Sequence, residues 1–382
     1  MPSKKEPSKK MPSDNFSKNS TSNTPVNTPI YQAAKNNHGG QLKQASEQYK
    51  IPEDQWLDLS TGISPFVYPL PEVPNECWQR LPETNDGLEE AASNYYGSPF
   101  LLPVAGSQEA IQGLPKLFKQ KLSVGIIKPA YHSHQKAWED AGHEIVLIDH
   151  EMITSSPDSA SNKDVIASID ILIIVNPTNP ATHLYTKETL SSLHQQLSKK
   201  GGCLIIDEAF IDATPEYSLI EQTPLQGLIV LRSIGKFFGL AGIRLGFVWA
   251  EENILQALAK QQDDWSVSHP ARWAGKVALA DKTWQQLQRE RLIPAALRLK
   301  ELLSKSFSKK VPVSRGVALN TALFAYLEIE TAAEIYQLLA AQGVLVRLFN
   351  ESNYQNNALR FGLPATEFEW THLEQALATL NS

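Results

Sequence analysis

The chain has 382 residues and a mass of 42.4 kDa, long enough for two to three domain-sized units, and its 42% hydrophobic content can fill a large core. A net charge of −6 and a pI near 5.9 exclude a basic surface spread over the whole chain for binding nucleic acid. Two cysteines, Cys77 and Cys203, are too few for a disulfide scaffold and form no C-x-x-C pair, and no run approaches the ~18 apolar residues of a membrane span.

The first thirty residues hold five lysines (Lys4, Lys5, Lys9, Lys10 and Lys18), no glycine and few apolar positions. Such a segment cannot offset its ordering entropy, and a disordered tail is expected over residues 1–30. No apolar stretch follows the lysines as a secretory signal would require, so a soluble protein of a reducing compartment, the cytoplasm, is expected, with no metal and no membrane partner.

Further on, Gly106-Ser107-Gln108 opens a helix. Short apolar runs then alternate with helical patterns, and Val124–Ile127, Ile145–Ile148, Ile171–Val175, Cys203–Asp207, Leu228–Arg232 and Leu245–Trp249 read as strands. Their continuous apolarity predicts strands covered on both faces of a parallel or mixed sheet. Cys203 in such a run reads as a small buried hydrophobe. Leu190, Leu193 and Leu197 fall on one helical face, closed by Gly201-Gly202. This is an α/β layout.

A helical stretch over Ala271–Ser308, with a break expected at Pro294, leads to a strand around Val317–Leu327. Thr331 with Glu334 predicts a capping box, strands follow at Val344–Leu348 and Ala358–Gly362, and Thr366 with Glu369 predicts a second box. The last helix carries Trp370, Leu373, Leu377 and Leu380 on one face. The C-terminal part therefore reads as a small α+β unit.

Polar groups cluster at the ends of the expected strands, where open α/β sheets place their ligands. Asn176-Pro177-Thr178-Asn179-Pro180 follows one strand, Asp207-Glu208 ends the next, and Ser233-Ile234-Gly235-Lys236 ends the one after, with Arg244 beyond it. Singly, a lysine is a surface charge and an acid is a helix cap. Jointly they supply what pyridoxal phosphate needs: an amine, an acid for the pyridine nitrogen, and amides with a serine and an arginine for the phosphate.

In the order N-P-x-N-P, D-E-A-[FY], S-x-x-K and G-x-R, residues 36–380 resemble the fold-type I pyridoxal-phosphate enzymes of the aminotransferase class I/II superfamily. The resemblance implies an α/β large domain with a mixed or parallel sheet over residues 67–290, a small α+β domain over 291–382, an N-terminal segment over 31–66, and a homodimer. It implies that Lys236 is the Schiff-base lysine and Asp207 the partner of the pyridine nitrogen. Asn179 would bond the ring oxygen, Tyr131 would stack on the ring, and Gly106, Ser107, Gln108, Ser233 and Arg244 would hold the phosphate.

Within the superfamily, His38-Gly39-Gly40, the run Leu57–Pro65, Asp207–Asp212 and Trp265-Ser266-Val267 are similar to the threonine-phosphate decarboxylases of cobalamin biosynthesis. These are in turn similar to histidinol-phosphate aminotransferases, the alternative reading. The likeness implies decarboxylation of O-phospho-L-threonine, a phosphorylated amino acid, with Arg347 and Arg360 holding its anions and His38, Gly39, Gly62 and Asn179 beside it. Three positions depart from common relatives. Phe210 stands where many have Tyr, which favours the decarboxylases, and Gly62 stands where many have Asn. Arg80-Leu81-Pro82 lacks the tyrosine that reaches the partner subunit, leaving open whether Tyr68 substitutes. A serine hydrolase based on Ser233-x-x-Lys236 is disfavoured, since the same pattern recurs at Ser133–Lys136 and Ser306–Lys309 without its companion motifs. A ligand sensor is disfavoured by the presence of both Lys236 and Asp207.

Overall fold

The computed structural model describes residues 38–154, 160–307, 319–350 and 357–380. The expected tail over residues 1–30 lies outside them, as do Ser308 and Val317 at the ends of two expected elements.

Strand β1 (Leu57–Asp58) precedes a seven-stranded sheet of β2 (Leu101–Val104), β3 (Ser123–Lys128), β4 (Glu144–Asp149), β5 (Ile171–Val175), β6 (Cys203–Asp207), β7 (Leu228–Ser233) and β8 (Gly246–Trp249), ordered β2-β8-β7-β6-β5-β3-β4. Strands β3 to β7 are parallel, and β8 runs against both of its neighbours. The mixed sheet and the α/β class are as expected. Alternate residues feed opposite faces: Leu172, Ile174, Leu204, Ile206 and Val230 enter one core, and Ile171, Ile173, Ile205, Ile229 and Leu231 the other. Each such side chain contributes about 1.5–3 kcal/mol by burial, and double coverage is why these runs are apolar throughout.

Two features of this sheet differ from expectation. β4 is an edge strand with Leu147 48% exposed, so Ile145–Ile148 is not covered on both faces. β2, at the other edge, is not among the expected strands; it holds Pro103, which is tolerated there because no further neighbour needs its amide.

A four-stranded sheet follows from β9 (Leu319–Asn320), β10 (Phe324–Glu328), β12 (Arg347–Phe349) and β13 (Ala358–Gly362), while β11 (Val344–Leu345) pairs in parallel with β1. The single strand expected over Val344–Leu348 is thus two strands in two sheets. Leu345 pairs with Asp58 and Arg347 with Arg360, so the chain changes partner at Val346, an event that no glycine, proline or other turn residue announces. The strand expected around Val317–Leu327 is likewise split by a turn at Thr321, whose amide and hydroxyl engage the Phe324 carbonyl.

The helical stretch breaks at Asp281 rather than at Pro294, giving helices His269–Ala280 and Lys282–Phe307. Asp281 Oδ1 accepts from the Trp284 amide at 2.9 Å and starts the second helix. Pro294 sits exposed within that helix, where the carbonyl it deprives of a partner can face water. The capping box at Thr366 and Glu369 forms, and Trp370, Leu373, Leu377 and Leu380 are buried as expected. The box at Thr331 does not form. Its backbone is not extended (φ −82°, ψ 21°) and its side chain makes no cap hydrogen bond, while the Ile329 carbonyl accepts the Ala332 amide. Cys203 is only half-buried as a residue, yet burial and then Glu251 raise its thiol to about 12, which leaves it inert.

Candidate active site

Parallel strands bring their carboxyl ends to one sheet edge, and a reversed strand brings its amino end there. Tyr131 follows β3, Asn179 follows β5, Asp207 ends β6, Ser233 and Lys236 close β7, and Arg244 precedes the reversed β8. Gly106, Ser107 and Gln108 follow β2 at the start of the helix Ser107–Gly113. The topology collects all of these residues at one edge.

Lys236 lies in the short helix Ile234–Phe237, and its Nζ has no hydrogen bond or ion pair among the described residues; it sits 5.5 Å from the Phe210 ring centre. Burial lowers its pKa to about 8, with Arg360 and Arg244 adding to the shift and Asp207 opposing it. An amine of that kind is about half unprotonated at pH 8, where an ordinary lysine is almost wholly charged. Asp207 is 3% exposed; its Oδ2 lies 2.8 Å from His134 Nε2, and its Oδ1 accepts from the Ala209 amide at 3.0 Å. Oδ1 thus caps the backbone that follows, as an acid at a strand end does, while Oδ2 is held by His134.

At the other end of the site, a Cβ on Gly106 (φ +74°) would lie 2.6 Å from Arg244 Nη2, and one on Gly246 would lie 2.7 Å from the Ser107 amide nitrogen. Only glycines allow the guanidinium and the helix start to converge this closely. Ser233 is buried and its hydroxyl has no hydrogen-bond partner among the described residues. Tyr131 donates to Gln108 Oε1 at 3.4 Å, with its ring centre 6.1 Å from that of His38.

Asn179 accepts from Arg360 Nη1 at 2.5 Å, which fixes its Oδ1 as the acceptor and presents its Nδ2 as a donor. Arg360 Nη2 also donates to the Ser60 carbonyl at 2.6 Å. That same carbonyl would be 2.2 Å from a Cβ on Gly39, and the Gly40 amide donates to Ser60 Oγ at 2.7 Å, so the His38-Gly39-Gly40 segment docks directly onto Ser60. Gly62 is buried beside them (φ +65°), its missing Cβ 3.1 Å from Phe324 and 3.7 Å from Arg360 Cζ.

Arg347 and Arg360 face each other directly across β12 and β13, both buried. Paired residues share a sheet face, and like charges placed so are destabilising unless anions lie between them. Arg347 also reaches His38, whose pKa is lowered by partial burial first and then by Arg347 and His132.

Two contributors escaped the sequence reading. His134 holds Asp207, and the only signal for it is a position one helical turn beyond Tyr131. Ser60 ties the glycine segment to Arg360 through a backbone carbonyl, which side-chain chemistry cannot announce. The Ser133–Lys136 motif carries no chemistry, since Lys136 pairs on the surface with Asp140 at 2.8 Å.

Residues 80–377 match the family of class I and II aminotransferases. The chain belongs to that family.

A threonine-phosphate decarboxylase of Pseudomonas aeruginosa is 44% identical over 340 residues, 89% of this chain and 96% of that protein. One from a Sinorhizobium species is 34% identical, over 90% of this chain and 98% of the relative. Among solved structures, histidinol-phosphate aminotransferase from Sinorhizobium meliloti in complex with pyridoxal-5'-phosphate superposes with a TM-score of 0.73 over 88% of this chain and 94% of its own, at 18% identity.

Against common family patterns, Gly62 leaves no room for an asparagine without displacing Phe324. Phe210 packs edge-on against Phe324, ring centres 5.1 Å apart, where a tyrosine hydroxyl would add a polar group. Tyr68 donates to Asp281 at 3.2 Å and its pKa is pushed up to about 12 by burial and then by Asp281, so its hydroxyl is held inside its own chain.

Proposed function

We propose that this chain is a pyridoxal-phosphate-dependent carboxy-lyase converting O-phospho-L-threonine into (R)-1-amino-2-propanol O-phosphate, within cobalamin biosynthesis. The observation that carries the reading is the facing pair Arg347 and Arg360, in a chain 44% identical to a threonine-phosphate decarboxylase. A substrate bearing both a carboxylate and a phosphate satisfies two guanidinium forks at once.

The residues present fit the cofactor: a buried amine without a partner, a buried acid held by His134, and a cradle at Gly106 that a Cβ would fill. Lys236 would bond its aldehyde, Asp207 its pyridine nitrogen, Asn179 its ring oxygen and Tyr131 its face, while Gly106, Ser107, Gln108, Ser233 and Arg244 would take its phosphate. Bound there, the cofactor supplies an electron sink for the pair left when the bond from Cα to the carboxylate breaks.

The rest of the work falls to the chain. Arg360, braced by Asn179 and Ser60, and Arg347, beside His38, hold the two substrate anions and so set which bond at Cα is activated. Lys236 Nζ, with its pKa near 8, can carry a proton and deliver it to Cα, which replaces the departing carbon dioxide. His38 and Gly39 complete the substrate side.

Product analysis tests the reading. With phosphothreonine and no 2-oxoacid, carbon dioxide should be released over many turnovers, and histidinol phosphate with 2-oxoglutarate should react slowly or not at all. A single stoichiometric turnover restarted by 2-oxoglutarate would replace the decarboxylase reading with the aminotransferase one. Arg347→Ala and Arg360→Ala should each raise KM for phosphothreonine by a factor corresponding to roughly 1.5–3 kcal/mol. An unchanged KM would remove that arginine from the substrate site.

We also propose that the protein works in the cytoplasm as a homodimer. Val67, Trp78, Leu81 and Trp265 are each more than half exposed, and the segments of Leu81 and Trp265 are joined by a bond from His269 to the Arg80 carbonyl, 3.2 Å long. Sedimentation should give twice the chain mass, and a monomer mass would end this part of the proposal.

A further inference from the structure

Behind the sheet edge lies a second set of charges that the chemistry above does not use. Arg232 Nη1 donates to Glu208 Oε2 at 2.9 Å and to Ser218 Oγ at 3.2 Å, while its Nη2 donates to Asp212 Oδ1. The three side chains are at most 3% exposed. Tyr95 donates to Asp212 Oδ1 at 3.0 Å, Arg289 Nε donates to the Asp212 carbonyl at 3.0 Å, and the Tyr96 ring lies 4.6 Å from Arg232 Cζ. Glu208 is further held by Ser218 Oγ at 2.6 Å and by the Leu219 amide at 2.9 Å.

The position of this cluster in the chain is telling. Glu208 directly follows Asp207, and Arg232 directly precedes Ser233, four residues before Lys236. Strand geometry turns successive side chains to opposite sides, so Asp207 and Ser233 face the site while Glu208 and Arg232 face away from it. Asp212 closes the segment that carries Phe210, whose ring lies 5.5 Å from Lys236 Nζ. One guanidinium therefore grips both ends of residues 208–212 and belongs to the strand that leads into Lys236.

Stability alone is a poor account of such a cluster. Two carboxylates share one arginine in the core, and Asp212 Oδ2, Arg232 Nε and Tyr96 Oη have no hydrogen-bond partner among the described residues. Burial pushes the Glu208 carboxyl up, and Arg232 only opposes that push. Buried ion triads can often be replaced by apolar groups without loss of stability, so what they secure is geometry.

We propose that the Arg232–Glu208–Asp212 triad is a positioning clamp that sets Asp207 and Phe210 against Lys236, acting through the backbone and touching neither substrate nor cofactor. The proposal rests on the reading of Asp207 and Lys236 given above. Arg232→Lys keeps the charge but cannot fork to both carboxylates. The cofactor-free chain should stay folded without urea, with a lowered urea midpoint because one buried carboxylate loses its partner. Its Kd for pyridoxal phosphate, measured by equilibrium dialysis, should rise roughly tenfold or more, and kcat should fall by roughly ten- to a hundredfold with KM little changed. If Arg232→Lys fails to fold, the triple variant Glu208→Gln, Asp212→Asn, Arg232→Met removes the charges together and carries the same expectations for Kd and kcat. A folded variant with parental kcat and cofactor affinity would overturn the clamp, as would losses no larger than the unfolded fraction explains. Should the parent fail to release carbon dioxide from phosphothreonine, the substrate reading falls, while the dialysis measurement still judges the clamp.

Discussion

Replacing Lys236 with methionine should abolish turnover and, in the same protein, make the cofactor-free chain more stable. The amine is buried beside Arg360 and Arg244, and its pKa falls from 10.5 to about 8. Between those two values the unfolded chain binds more protons than the folded one, so stability rises with pH across that window. Below the folded value the whole penalty is present, about 3 kcal/mol for a shift of this size. Methionine fills similar space without a charge. At pH 7 the variant should therefore unfold at higher urea, and its stability should lose the rise that the parent shows from pH 8 to 10.5. Visible absorbance from lysine-bound cofactor should be absent. Full decarboxylase activity in Lys236→Met would end the assignment, and a parent stability flat across that pH window would end the electrostatic account alone.

Asp207→Asn is expected to act on rate rather than fold. The side chain is nearly isosteric, and its retained carbonyl oxygen can still accept the Ala209 amide that Asp207 Oδ1 now accepts at 3.0 Å. What disappears is a negative charge at the end of β6, held in place by His134. A fixed charge in a dry site is worth roughly 3–4 kcal/mol, so kcat should drop by about a hundredfold to a thousandfold. The urea midpoint should move much less. A loss in kcat below tenfold would reduce Asp207 to the helix-capping role that its position alone suggests.

The legible part of this protein was what strands and short motifs express locally. Ile171–Val175, Cys203–Asp207 and Ala358–Gly362 match their observed strands residue for residue, because nearly every position in them is buried and so mostly apolar, Asp207 and Arg360 excepted. The edge strand Leu101–Val104 lacked that pressure and was missed. Partner changes were invisible too: Val344–Leu348, apolar but for Arg347, holds no turn residue, yet it serves one sheet at Leu345 and another at Arg347. The motif residues at the ends of β5, β6 and β7 could be found because chemistry restricts their types. His134 and Arg232 could not, since they act on other residues, and a lone histidine or arginine advertises no partner. The capping pattern at Thr331 misled for a simpler reason: its backbone is not extended, and its side chain makes no cap hydrogen bond.

The facing arginines belong to the four-stranded sheet, while the amine, the acid and the phosphate cradle belong to the edge of the seven-stranded one. A hydrogen bond from Arg360 to Asn179 joins the two sets of side chains. Such a division places the two functions on different strands without making them independent. On the proposed reading, a substitution along β12 or β13 would change which anions are held and, because Arg360 also lowers the Lys236 pKa and bonds Asn179, would be felt at the amine as well. A scaffold joined in this way would change its chemistry and its substrate through the same few positions.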